Sequence, residues 1–120
     1  MEPSKNSSQQ LKTEEFIVVL VTTGTEEEGT SLGRVLVENG LVACANILPI
    51  KKSIYKWEGQ VMKEQEVLLI IKTTEERYEQ LQRRILELHS YKVPEVIAVK
   101  IERGSNAYLE WLRQSVSVEK

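Results

Sequence analysis

Two extended runs, residues 42–57 and 61–73, meet at Glu58-Gly59 and read as one hairpin. The first run is far longer than the usual strand of about 5–6 residues. At about 3.3 Å per residue it would span about 50 Å, against a diameter near 35 Å for a domain of this size. The hairpin must therefore bend or overhang the core. Pro49 is the expected place for a bend or bulge, because proline cannot donate to a strand ladder. The distal half, Ser53 to Trp57 and Val61 to Glu66, exceeds what one small core supports. Tyr55 and Trp57 sit at its tip. Either they lie in a groove between subunits, or they form a local cross-strand cluster in a monomer.

The flanking sequence supplies the remaining elements. Residues 15–23 (EFIVVLVTT) form an apolar, β-branched run typical of a buried central strand. Thr25-Glu26-Glu27-Glu28 predicts a capping box that opens a helix. Its Leu32, Val35 and Leu36 share a face, and it ends at Asn39-Gly40. Thr73-Thr74-Glu75-Glu76 predicts a second box, for a helix with Tyr78, Leu81, Ile85 and Leu88 on one face. Pro94 precedes a strand, EVIAVKI, in which Ile97, Val99 and Ile101 alternate. A short terminal helix follows, capped by Ser105 or Asn106, with Trp111 expected to pack it down. The order predicts an α+β, ferredoxin-like βαββαβ sandwich with an additional C-terminal helix. Both main helices lie on one sheet face, so the other face needs a cover. Residues 15–116 form the domain, between a polar N-terminal tail at 1–14 and a C-terminal tail at 117–120.

Charge and residue inventory exclude several functions. The net charge is −2, which gives no strong attraction to nucleic acid or an anionic membrane. All 18 acidic residues are Glu, so Asp-rich calcium loops and Asp dyads are out. The lone Cys44 leaves no internal disulfide and no CxxC motif. The N-terminal stretch has no apolar core of a secretory signal, and no apolar run approaches the ~20 residues of a spanning helix. A cytoplasmic protein is expected.

Several segments, taken together and in order, resemble one family. They are Ala43-Cys44-Ala45-Asn46, Ser53-Ile54-Tyr55, Trp57-x-Gly59, Glu66 to Lys72-Thr73, Tyr91-x-x-Pro94-Glu95 and Tyr108-Leu109-x-Trp111. The chain is similar over about residues 16–113 to the CutA family of divalent-cation tolerance proteins. The resemblance implies a ferredoxin-like subunit in a homotrimer built by strand pairing between subunits. It also implies binding of divalent metal, copper above all, with no organic cofactor. Family members with a described copper site place a Cys near the end of the first strand and two adjacent His residues after the second helix. The matching positions here are Val21, Leu88 and His89. Only His89 transfers, and one imidazole is not a specific transition-metal site. Glu87 or Glu95 could add a carboxylate; the competing role for His89 is a favourable partner of the helix C-terminus.

Cys44 matches the family cysteine of the second strand and reads as a small buried hydrophobe, with no cation beside it in sequence. Tyr55, Trp57, Glu66, Lys72, Tyr91 and Glu95 are the candidates for a ligand cleft between subunits, or for intersubunit hydrogen bonds and ion pairs. Asn46 and Ser53 are read as satisfying backbone groups at a bulge or interface.

Other classes fit less well. Acylphosphatase-like catalysis needs an arginine in the loop after the first strand, where this chain has Thr22-Thr23-Gly24-Thr25 and three glutamates. An RNA-recognition sheet needs aromatics on the third strand, and EVLLIIKT has none. A signalling trimer of the PII type, binding a small ligand or nucleotide in intersubunit clefts, is the alternative. No enzyme is expected.

Overall fold

The structure is a computed structural model and describes residues 15–116; the two expected tails lie outside the described residues. Strand β1 (Phe16–Thr23) buries Ile17, Val19 and Val21 on one face and Phe16 on the other. Helix α1 (Glu26–Glu38) starts where the Thr25 hydroxyl accepts the Glu28 N–H at 3.0 Å. It stops at Asn39, after which Gly40 takes a φ of 72° that suits glycine. Strands β2 (Cys44–Trp57) and β3 (Gln60–Thr74) form the long hairpin. Glu58 and Gly59 turn it with φ of 51° and 83°. A single 3-10 turn at Glu75–Arg77 leads into α2 (Tyr78–Leu88). Strand β4 (Val96–Lys100) and α3 (Asn106–Ser115) complete the chain, with Ser105 as the cap of α3.

The sheet order is β2-β3-β1-β4 and every pair is antiparallel. This is the ferredoxin-like arrangement expected from the element order. Leu32 and Leu36 of α1 and Leu81 and Ile85 of α2 pack on Ile17, Val19, Val21, Leu69 and Ile71. On the opposite face α3 covers one end of the sheet, where Leu109 and Leu112 meet Phe16 and Ala43. The rest of that face is open, with Ile97 and Val99 about half exposed (50% and 54%). The hairpin overhangs the core, and the radius of gyration of 16.5 Å exceeds the roughly 13 Å of a compact domain this size.

Four local expectations need correction. The bulge lies at Lys51-Lys52, two residues facing Gln65 alone, and Pro49 stays in register with Val67. The proline sits on an edge strand, where a missing donor does not break the ladder. The second capping box does not form, because the Thr73 hydroxyl donates to the Leu41 carbonyl at 2.6 Å and Thr74 makes no side-chain cap. Leu88 is exposed rather than in line with Leu81 and Ile85. Trp111 is exposed too; it stacks on Tyr108 at 5.4 Å while Leu109 and Leu112 do the packing.

Candidate functional site

The bulge sets the site. It keeps Tyr55 opposite Met62 and Trp57 opposite Gln60, on the side of the ladder shared with Glu64 and Glu66. The Tyr55 hydroxyl donates to Oε1 of Glu64 at 2.7 Å. Tyr91, arriving from the loop after α2, donates to Oε2 of Glu66 at 2.7 Å. Two phenols thus face two carboxylates spaced one pleat apart. Gly24 at the end of β1 leaves room for this, since a Cβ there would lie 3.3 Å from the Tyr91 hydroxyl.

The carboxylates hold both phenols protonated. The hydrogen bond to Glu64, some burial, and the negative field of Glu64 and Glu66 push the Tyr55 phenol up to about 12. Burial first, then the bond to Glu66, pushes Tyr91 up as well. A phenol held in this state is a donor to a ligand and a poor nucleophile or base near neutrality.

Behind Tyr91 the loop is pinned. His89 is buried, and its Nε2 donates to the Thr22 carbonyl at 2.6 Å. Its Nδ1 accepts the Tyr91 backbone N–H at 3.0 Å. These partners fix the neutral Nε2–H tautomer. Ser90 gives both its N–H and its hydroxyl to the Glu28 carboxylate, each at 2.9 Å. The Glu28 side chain, expected to close a capping box, therefore clamps a distant loop instead.

The remaining candidates lie apart. Lys72 is opposite Cys44 at the far end of the hairpin and donates to Asn46 Oδ1, so it does not join Tyr55 and Trp57 within one subunit. Cys44 is only partly buried, and burial together with this sulfur pushes the neighbouring Tyr108 phenol up. Glu95 is exposed just before β4, and Trp57 is exposed at the tip. Glu64 is the residue missed in the sequence; its two-residue spacing from Glu66 was the available signal. A surface hollow of about 400 Å³, lined by Asn39, Gln80, Arg83, Arg84 and Glu87, contains none of the expected cleft residues.

The donors do not fit the copper site implied by the resemblance. Val21 is inside the core, Leu88 is exposed, and neither has a lone pair to give. His89 has both ring nitrogens engaged. Glu28 Oε2 comes within 3.7 Å of Nδ1 but is already held by Ser90. Among the described residues no group of three or more His, Cys, Asp or Glu side chains converges on one point.

Comparison with known proteins agrees with the fold and with the spread of the matching motifs. Residues 17–115 match the family model described as CutA1 divalent ion tolerance protein. The divalent-cation tolerance protein CutA of Thermus thermophilus is 45% identical over 98 residues, covering 82% of this chain and 95% of that protein. The chloroplastic protein CutA of Arabidopsis thaliana is 47% identical over 104 residues; the match spans 87% of this chain and 57% of the plant protein. A solved CutA1 structure from Thermus thermophilus superposes with a TM-score of 0.82 at 43% identity, covering 85% of this chain and 99% of that one. CutA from Synechococcus elongatus gives 0.85 at 37% identity, with 89% and 95% covered. A match that runs through β1, the long hairpin and α3 leaves one assignment: this chain belongs to the CutA1 family of divalent ion tolerance proteins.

Proposed function

We propose that this chain works as a cytoplasmic homotrimer in divalent-cation tolerance, metal-responsive rather than catalytic, with a small-ligand cleft between Tyr55 and Tyr91 at the subunit boundary. The observation that carries the reading is the apolar surface left open by a chain of this size. Ile54 and Val61 on the hairpin are each 63% exposed, and Ile97 and Val99 are about half exposed on the open face of the sheet. Such a surface, next to the unpaired edges of β2 and β4, favours a second copy over water. In this reading a divalent metal, copper included, binds weakly through carboxylates at the boundary, with no organic cofactor. The PII-like alternative is weaker, because the ionised groups around the cleft, Glu28, Glu64 and Glu66, are carboxylates that repel a phosphate.

The test is the native mass of the purified chain, recorded alone and during a copper(II) titration by calorimetry. A trimer is expected, and so is its loss in Ile97→Glu with Val99→Lys. A monomer at micromolar concentration would sink the proposal. A clear rise in thermal stability with ATP would favour the PII-like reading instead.

A further inference from the structure

His89 stands at the family's metal position, and in this chain both of its ring nitrogens are hydrogen-bonded within the fold. β4 pairing with β1 begins at Val96 opposite Val21, so Thr22 lies one residue beyond the last pair. The Thr22 carbonyl therefore needs a donor that β4 does not supply, and an unpaired buried carbonyl is costly. The His89 Nε2–H fills that place at 2.6 Å. The ring is then fixed at one end, and its other nitrogen takes the Tyr91 N–H at 3.0 Å. The two rings pack with centroids 4.8 Å apart. Ser90, between them, is clamped by Glu28. Three successive residues are thus tied to β1 and to the start of α1, and the third carries the phenol that reaches Glu66.

We propose that His89 is a positioning residue: as a neutral imidazole it brackets Thr22 to Tyr91, aims the Tyr91 phenol at Glu66, and ligates no transition metal. Binding a metal at Nδ1 would strip the Tyr91 N–H of its acceptor. Binding at Nε2 would remove a proton and orphan the Thr22 carbonyl. The flanking positions offer no second nitrogen or sulfur to offset either loss. The importance of the bracket for ligand binding rests on the reading of the Tyr55–Tyr91 cleft as the working site. The bracket itself does not.

The experiment is nuclear magnetic resonance on the full chain with isotope-labelled histidine and tyrosine, in mildly alkaline buffer, before and after zinc(II). The single histidine should show the Nε2–H tautomer and keep its ring shifts when the metal is added. His89→Gln, which retains an N–H donor, should keep Tyr91 ionising late. His89→Ala should move it down toward the ordinary tyrosine range. Copper affinity by calorimetry, whatever its size, should be the same in wild type and His89→Gln. A shift of the ring on equimolar zinc(II), which is diamagnetic, or copper binding lost in His89→Gln, would overturn the proposal. So would an Nδ1–H tautomer, read on the wild type even if His89→Ala does not fold. Failure of the cleft reading is seen separately: Tyr91→Phe would then leave assembly and metal response unchanged while the histidine spectrum still shows the bracket.

Discussion

Tyr91 and Glu66 join the loop after α2 to the root of the free half-hairpin through one 2.7 Å hydrogen bond. The carboxylate is half-buried, so water replaces the phenol only in part. Tyr91→Phe should cost about 1.5 kcal/mol, the low end of the range for a bond to a charged acceptor. Tyr55→Phe, at a more exposed bond, should cost less than Tyr91→Phe. Urea unfolding of both variants at one protein concentration checks the order. Equal losses would mean that the loop is held without this bond.

The same two phenols set an alkaline limit. The phenol of Tyr55 has an ordinary value of 10.0 when free and is raised to about 12 here by the Glu64 bond, burial and the nearby carboxylates. A raised folded value means that the unfolded chain loses its proton first. The stabilisation is therefore full below about pH 10 and is lost as pH rises toward about 12. Tyr91 shifts in the same direction and extends the loss upward. Melting temperature against pH should fall across that window, and the fall should be shallower in the Tyr55→Phe, Tyr91→Phe double variant. An unchanged slope would remove these bonds as the cause.

Element order, sheet topology and the turn at Glu58-Gly59 were legible because each follows from local patterning. A continuous apolar, β-branched run gives β1, alternation gives β4, the Thr25 cap starts α1, and Gly40 ends it. Proline is the visible breaker, so local sequence points to Pro49 for the bulge. Its true position depends on how Lys51 and Lys52 face Gln65, a property of the pair of strands. Glu28 reads as a cap residue from its spacing, yet its carboxylate goes to Ser90, which no local rule anticipates. Lys72 and Tyr55 share the expected cleft because a lysine and carboxylates beside paired aromatics can orient a ligand between subunits. The antiparallel register sends them to opposite ends of the hairpin. Tyr55 and Tyr91 do reach carboxylates two residues apart on β3, Glu64 and Glu66 respectively.

Two glycines of α1 should respond differently to the same substitution. A Cβ at Gly29 would meet Leu69 and the Thr23 hydroxyl at 3.1 Å each and Val67 at 3.3 Å. At Gly33 the single tight neighbour is the Ala45 methyl, at 3.3 Å. Alanine gains about 0.8–1.0 kcal/mol of helix propensity at either site. Overpacking costs about 1–3 kcal/mol where several atoms must shift. Gly29→Ala should therefore be a net loss, and Gly33→Ala should lie near zero. Denaturation midpoints decide it, and a stabilised Gly29→Ala would show that the helix backs away from the sheet without cost.

The hairpin turn offers a gain. Glu58 takes a φ of 51°, left-handed backbone that an ordinary side chain adopts at a cost of about 1–2 kcal/mol. Gly59 at 83° meets the same demand with no Cβ in the way. A two-residue turn with both centres left-handed favours asparagine before glycine, because the short amide tolerates that region. Glu58 has neither advantage, and its side chain is exposed. Glu58→Asn should raise stability by about 0.5–1 kcal/mol, a fraction of the left-handed penalty. Because Trp57 and Gln60 flank the turn, their amides should exchange more slowly with solvent in the variant. A stability gain without slower exchange at the tip would place the effect in the unfolded chain rather than in the turn.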